Sequence, residues 1–330
     1  MPKILVTGGA GYIGSNTAHL LARRGYGVVV VDDLSRGHEQ NVGRLPFHKL
    51  SLADTSALAE LLAGERIDAV IHFAGYIAVG ESTQKPELYF SNNVGGTLSL
   101  LDAMAKAKVK RLVFSSTAAV YGMPEVVPIP EDSSFAPVSP YGESKVMVET
   151  ILGWLDRYSG VRSIALRYFN ACGSDPESEL GEEHDPETHL IPLALRAVVT
   201  GNPITIYGDD YDTPDGTCIR DYIHVTDLAE AHRLAVDSLM AGGASDVFNV
   251  GTGTGHSVIE VMRAVDEVTC RNVPHLIGPR RAGDAAVLVA NSDKLKRALN
   301  WKPKYTELTD IVETAWQFEK NRHARAGVTV

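Results

Sequence analysis

The segment "SPYGESK" places Tyr141 and Lys145 at i and i+4, neighbours on one face if the segment is helical. Pro140 suits a first helical turn and Ser139 reads as its cap, so a helix is expected to open here. A phenol with an ordinary pKa of ~10 is a poor base at neutral pH. An adjacent ammonium stabilises the phenolate and lowers that pKa, which suits the pair to take the hydroxyl proton from an alcohol losing hydride. Thr117, closing "RLVFSST", stands where it would orient the same hydroxyl. Taken alone, the spacing has a plainer reading, a half-buried aromatic beside a surface charge. A nearby hydride acceptor decides between the two.

The glycines supply that context. "GGAGYIG" follows a short apolar run and satisfies both GxGxxG (Gly9, Gly11, Gly14) and GxxGxxG (Gly8, Gly11, Gly14). Glycines there allow a tight turn, and they let backbone N–H groups approach a pyrophosphate at a helix N-terminus. Asp32 ends the next apolar run, about twenty residues on, where a carboxylate binds the ribose hydroxyls of NAD. A carboxylate there repels a 2′-phosphate, so NAD is expected over NADP. Arg36, nearby, reads as a solvated loop charge.

These residues need a scaffold, and the sequence outlines it. "KILVTGG" reads as a buried strand, and "YIGSNTAHLLARRG" as a helix with Ile13, Thr17, Leu20 and Leu21 on one face and Gly25 as its stop. "YGVVVVDD" is a β-branched run of the kind found in parallel strands buried on both sides. Helices over 55–63 and over Pro86 to Lys106 then alternate with strands in "AVIHFAG", "RLVFSSTAAVYG" and "SIALRYFN". Repeated βαβ units predict an α/β fold, a Rossmann-type doubly wound parallel sheet. Past Asn170 the chain turns acidic and Gly/Pro-containing, which suggests two domains, 1–169 and 170–330, the second a smaller α/β unit. The apolar run over 246–250 fits either.

Bulk properties narrow the classes. The chain has 330 residues, 44% hydrophobic and 22% charged, and no run near the ~20 apolar residues of a membrane span. The start runs straight into a strand without a secretory pattern, and Cys172, Cys218 and Cys270 are far apart, so a reduced, cytoplasmic protein is expected. A net charge of −10 argues against a nucleic-acid partner. His184, Asp185 and His189 have no recognised zinc spacing; they are expected to be solvated, and no metal is expected.

"TGGAGYIG", "HFAG", "NNVGGT", "FSSTAAVYG", "YGESK", "RYFNACG", "HLIP", "DGTCIRDYIHV" and "RRAGD" together resemble the UDP-glucose 4-epimerase family, within the extended short-chain dehydrogenases/reductases. The resemblance runs from about Lys3 to about Lys320. It implies interconversion of UDP-galactose and UDP-glucose with retained NAD, Tyr141 as the base, Lys145 at the nicotinamide ribose and Thr117 on the sugar 4-oxygen. For the cofactor it implies Gly8, Gly11, Tyr12, Ile13 and Gly14 at the pyrophosphate turn and Asp32, Asp33, Leu34, Ser35, Arg36 and Gly37 in the ribose loop. Ser51 and Leu52, Phe73, Ala74 and Gly75, Ile77, Asn92 and Phe169 are implied around adenosine, diphosphate and nicotinamide. For the UDP-sugar it implies Asn170, Arg220 and Arg281 at the diphosphate and His189, Leu190, Thr205, Ile206 and Tyr207 around uracil and diphosphate. Asp284 falls at the uridine ribose, Leu288 at the sugar 2-substituent, and the helices over 92–106 and 142–158 at a homodimer contact.

Three positions depart from the family pattern. Ser51 stands where an aspartate binds the adenine amino group, Ile77 where some members carry a lysine, and Leu288 where a tyrosine would exclude N-acetylated sugars. A 4-epimerase for UDP-N-acetylglucosamine or a UDP-pentose is therefore the main competitor, ahead of a sugar-nucleotide reductase. A 4,6-dehydratase needs an acid–base pair after Thr117, and Ala118-Ala119 cannot move protons. A non-catalytic NAD sensor would be expected to lose Tyr141, Lys145 or the arginines, and all are present.

Overall fold

The computed structural model describes residues 1–281 and 283–325. Its strands, in chain order, are β1 (Lys3–Thr7), β2 (Gly27–Asp32), β3 (Phe47–Lys49), β4 (Ala69–His72), β5 (Arg111–Thr117), β6 (Arg162–Tyr168) and β7 (Asn170–Cys172). There follow β8 (Ile204–Tyr207), β9 (Ile219–His224), β10 (Asp246–Val250), β11 (Gly255–Ser257), β12 (His275–Gly278) and β13 (Val287–Leu288). Seven strands form one sheet in the order β10-β6-β5-β4-β1-β2-β3, every pair parallel. The order reverses direction between β1 and β4, the switch point at which such sheets bind ligands beyond their carboxyl ends.

The helices are α1 (Tyr12–Arg23), α2 (Thr55–Gly64), α3 (Val79–Gln84), α4 (Pro86–Tyr89), α5 (Gly96–Lys106) and α6 (Pro140–Ser159), then α7 (Leu190–Thr200), α8 (Val225–Met240), α9 (Val258–Thr269), α10 (Asp293–Leu299) and α11 (Leu308–Arg325). Alternation along the strands sends side chains to two cores. Ile4, Val6, Val28, Val30 and Ile71 pack under α1 and α8, whereas Leu5, Val29, Val31, Val70 and Phe114 pack under α2, α5 and α6. The single helix expected from Pro86 to Lys106 is broken: Phe90–Gly95 adopts a π-helical turn between α4 and α5. Gly95, its last residue, and Gly96, the first of α5, favour no tight α register at the junction.

The remaining elements build a second, smaller unit. β9 pairs with β7, antiparallel with β11, and parallel with β13, while β8 pairs with β12. A third core of Ile191, Leu195, Tyr222, Val261, Val265, Val312 and Trp316 ties these to α7, α9 and α11. A boundary at Asn170 does not separate the two units in space. β10 joins β6 in register, Asp246 opposite Ile164, and α8 covers the first sheet beside α1, so residues 225–250 lie with the large sheet. Periodicity could not settle this, because a short apolar strand reads alike in either unit. No helix among the described residues is long and apolar enough to cross a membrane.

Three histidines are buried in these cores, His72, His224 and His232. Burial pushes His72 and His224 down to about 3 and His232 to about 4. They stay neutral in the folded state, while in the unfolded chain they take up protons near the ordinary value of ~6.5. Unfolding below that pH therefore binds protons, and their contribution to stability, whole at neutral pH, is lost as pH falls towards 3. We expect the unfolding free energy measured with urea to drop between pH 6.0 and 5.0 by about 1.4 kcal/mol per proton taken up; an equal or higher value at pH 5.0 would contradict this.

Candidate active site

The glycine loop is shaped as the sequence predicts. Gly8 has a φ of +71°, and a Cβ there would lie 2.5 Å from the Ala74 nitrogen. A Cβ on Gly14 would lie 2.2 Å from the Gly8 carbonyl oxygen. Neither position accepts any other residue, so the turn is drawn tight and α1 begins directly behind it. Gly11 donates its N–H to the Gly8 carbonyl at 3.2 Å. The first N–H groups of α1, from Tyr12 and Ile13, have no partner within the helix and face the turn with the positive end of its dipole.

Asp32 holds the loops on either side of this turn. Its Oδ2 accepts from the Ala10 N–H at 3.0 Å and its Oδ1 from the Leu34 N–H at 2.8 Å. Burial raises its pKa and the two N–H groups pull it back. Leu34 takes the left-handed conformation, Asp33 accepts from the Ser35 N–H at 2.8 Å, and a Cβ on Gly37 would lie 2.9 Å from Ala10. The ribose loop is thus packed against the glycine loop. Leu50 donates to the Asp32 carbonyl, which sets Ser51 and Leu52 beside it at the carboxyl end of β3. Arg36 is not a free surface charge; it pairs with Glu81 at 2.9 Å and lies 5.3 Å from the Tyr76 ring centroid. The Tyr12 backbone opens α1 behind the turn, and its side chain takes a separate course. It turns away from the glycine turn and donates to the Gly173 carbonyl at 2.7 Å.

Tyr141 and Lys145 lie in the first turns of α6, with Pro140 at its start and Ser139 accepting from the Gly142 N–H as the cap. Both are buried, Tyr141 7% exposed and Lys145 4%. The Lys145 Nζ donates to the Ser115 carbonyl at 2.9 Å and lies 5.9 Å from the Tyr141 ring centroid. Burial pushes Lys145 down to about 8, and Glu149, one turn further along α6, opposes the shift. Burial raises the Tyr141 phenol while a hydrogen bond with Thr117 lowers it. Of the two, desolvation is the larger effect. Gly75 fits closely against Lys145 and Asn93, a Cβ there lying 3.7 Å from Lys145 Nζ and 3.2 Å from Asn93 Oδ1.

Several supporting residues escaped the sequence reading. Asn93, next to the expected Asn92, accepts from the Tyr76 N–H at 2.8 Å and donates to the Tyr76 carbonyl and to Ser144 Oγ, stitching the loop after β4 to α6. Asn92 donates to Asn93 at 3.0 Å. Glu149 forms a buried ion pair with Arg167 at 2.6 Å, and Arg167 donates to Tyr121, which donates to Asn249 of β10. Asp221 is fully buried and accepts from Thr252, Gly253 and Ala290, so the strand bearing Arg220 is clamped to the ends of β10 and β13. All these partners are distant in sequence, so spacing gives no signal for them.

The remaining expected residues divide between the two units. Phe73 and Ala74 leave β4 beside Gly8, and Ile77 is exposed. Phe169 packs with Ala118, Val120 and Tyr121, and Leu288 joins this cluster from β13. Asn170 begins β7, paired with Tyr222. Arg220 bonds Asp284 at 3.1 Å and is opposite Leu288 across β9 and β13. Arg281 lies 3.9 Å from the Tyr207 ring centroid, with Thr205 and Tyr207 on the exposed side of β8 and Ile206 on its buried side. Arg280, beside Arg281, pairs with Asp210 at the surface. Leu190 opens α7, but His189 turns its Nδ1 to Glu182 at 2.7 Å and to Glu187 at 3.2 Å. His184 likewise joins those carboxylates instead of solvent, while Asp185 is exposed and takes no part.

Sheet, glycine cradle and tyrosine–lysine helix define a Rossmann-type dinucleotide-dependent enzyme. Residues 4–251 match the model of the NAD dependent epimerase/dehydratase family, and the chain belongs to that family. It is 49% identical over 324 residues to the UDP-glucose 4-epimerase of Rhizobium meliloti, covering 97% of this chain and 98% of that protein. UDP-glucose 4-epimerase from Brucella ovis, solved in complex with NAD, superposes with a TM-score of 0.93 at 46% identity, covering 96% of this chain and 98% of that one. The enzyme from Stenotrophomonas maltophila, with NAD and formylated UDP-arabinopyranose, gives 0.95 at 39% identity, over 99% and 100% of the two chains.

Removing one partner of a buried ion pair leaves the other uncompensated, at a cost of about 3–5 kcal/mol. We expect Glu149→Gln to lower the unfolding free energy in urea by that amount. A loss under about 1 kcal/mol would rank the pair with exposed ones.

Proposed function

We infer that this enzyme interconverts UDP-galactose and UDP-glucose by NAD-dependent 4-epimerisation. The observation that carries this reading is the buried grouping of Tyr141, Lys145 and Thr117 at the mouth of β5, facing Gly75 across from the glycine cradle. The cradle fits NAD: Gly8 and Gly14 let the turn close on its own backbone, which leaves the free N–H groups at the start of α1 to meet a pyrophosphate. When bound, NAD supplies a hydride acceptor for the sugar C4, later a donor, and a positive ring that lowers the Tyr141 pKa.

Tyr141 takes the proton of the 4-hydroxyl, and Thr117 holds that oxygen by its hydroxyl. Lys145, anchored on the Ser115 carbonyl, keeps positive charge beside the phenol. After the 4-keto sugar has turned over, Tyr141 returns the proton to the oxygen on the other face, so no net oxidation results. Such a cycle requires a fixed nucleotide and a free sugar. Asn170, Arg220 and Arg281 supply the diphosphate contacts, and a guanidinium suits paired phosphate oxygens. Leu190, Thr205, Ile206 and Tyr207 flank the uracil, and Asp284 serves the ribose. Leu288, packed with the Phe169 cluster, walls the sugar end and sets the size of the 2-substituent. In this division the large sheet with residues 225–250 binds NAD and the smaller unit holds the UDP-sugar.

We further propose a cytoplasmic homodimer, paired through α5 and α6. Leu98, Met147, Trp154 and Tyr158 are exposed on these helices, and Trp154 and Tyr158 stack at 5.8 Å. The three free, scattered cysteines suit a reducing compartment.

Purified enzyme is expected to convert UDP-galactose with no NAD added, and Tyr141→Phe to cut turnover severely while UDP binding persists. UDP-N-acetylglucosamine run in parallel reports on Leu288. Inactivity towards UDP-galactose, with and without NAD, would overturn the reading, as would undiminished turnover in Tyr141→Phe. In sedimentation, the wild type should run as a dimer and Trp154→Glu should shift towards monomer; a monomeric wild type at micromolar concentration would refute the pairing.

A further inference from the structure

Outside the catalytic grouping, one set of side chains converges on a common point. Glu182 Oε1, His184 Nδ1, Glu187 Oε1 and His189 Nδ1 come from the segment between β7 and α7, and their ligand atoms all lie within 4.8 Å of one another. The nitrogens and oxygens alternate around a quadrilateral. Its four sides are 3.3 Å (His184–Glu182), 3.7 Å (His184–Glu187), 2.7 Å (His189–Glu182) and 3.2 Å (His189–Glu187). A tetrahedral zinc with bonds of about 2.0–2.1 Å to imidazole nitrogen and carboxylate oxygen has donor–donor edges of about 3.3 Å. The sides scatter around that edge.

The donors are held in place by their surroundings. Glu187 is turned inwards by the Thr188 and His189 N–H groups, at 2.8 and 3.0 Å on the same Oε1, and Arg196 lies 3.7 Å from its other oxygen. The Glu182 and Glu187 side chains are 7% and 1% exposed. His184 Nδ1 is buried and has no well-aligned hydrogen-bond partner among the described residues, although it points at both carboxylates. Of the two imidazoles, His189 shares a hydrogen bond with Glu187 Oε1 at 3.2 Å, whereas His184 Nδ1 has carboxylate oxygens only at 3.3 and 3.7 Å. Tyr12 packs edge-on against the His184 ring at 6.2 Å, shielding it from the side of the glycine loop.

We propose that Glu182, His184, Glu187 and His189 bind one divalent cation, with zinc as the natural occupant of this two-imidazole, two-carboxylate set. The cation is structural: four protein donors close its shell. It clasps a segment that lies over the cofactor loops, since Tyr12 donates to the Gly173 carbonyl and His38 Nε2 lies 2.9 Å from the Glu183 carbonyl. Imidazole must be neutral and a carboxylate ionised to bind a cation, so binding displaces any protons these groups carry and weakens as pH falls. The sequence spacing Glu-x-His-x-x-Glu-x-His conceals the site, because it matches no common zinc pattern and only the fold of the segment brings the four donors together.

The test uses the full chain stripped of metal with a chelator. Titration with zinc chloride, followed by calorimetry in two buffers of different ionisation enthalpy, is expected to give one zinc per chain with proton release. Cobalt(II) in its place is expected to give the intense visible bands of a tetrahedral ion. Glu187→Gln and His184→Gln should each weaken binding by more than the 10–100-fold seen on losing an outer-shell partner, with circular dichroism confirming that each is folded. Stripped wild type that takes up no zinc overturns the proposal. So does an octahedral cobalt spectrum, or equal uptake by wild type and folded variants.

Discussion

A buried ammonium with a carbonyl as its hydrogen-bond acceptor is a costly arrangement, and the centre of this enzyme is built around one. Lys145 is nearly inaccessible, its pKa is pressed down by burial, and its Nζ rests on the Ser115 carbonyl. It remains in place because the helix carrying it cannot shift. Glu149, one turn on, is held by Arg167, and Arg167 reaches through Tyr121 to Asn249 of β10. On the other side Asn93 fixes α6 to the loop after β4 through Ser144 and Tyr76. The Tyr141 hydroxyl is thus positioned by contacts that begin two helical turns away. A half-satisfied network here would be worse than an apolar one.

What could be read in the sequence was local. The glycine turn, the β-branched run of β2, Asp32 at its end and the tyrosine–lysine spacing each depend on residues within a turn or a strand of one another. Each has the predicted place. The supports were not legible, because Glu149 and Arg167, Asp221 and Ala290, or Asn93 and Ser144 meet only when the sheet is assembled. The π-turn after Tyr89 was missed for a related reason: apolar periodicity carries through it and does not register one additional residue per turn.

At Tyr12 and His189 the geometry adds to what the resemblance implies. Both lie at positions expected to meet a ligand, yet both side chains are engaged with the segment between β7 and α7. Position in a motif fixes the backbone, which at Tyr12 begins α1 directly behind the glycine turn. The side chain follows whatever the neighbouring loop offers, here the Gly173 carbonyl and a pair of inward-facing carboxylates.

The return of residues 225–250 to the large sheet has a mechanical consequence. The chain passes between the two units after β6, again from β9 into α8, and again from β10 to β11. Two bodies joined by a single tether can swing open about it; bodies laced by several strands, with Asp221 bonded across the lacing, cannot hinge freely. The walls around Tyr141 are therefore stiff. A substrate that must present first one face and then the other has to pivot within a chamber of nearly constant shape, so the freedom the chemistry needs belongs to the sugar and not to the protein.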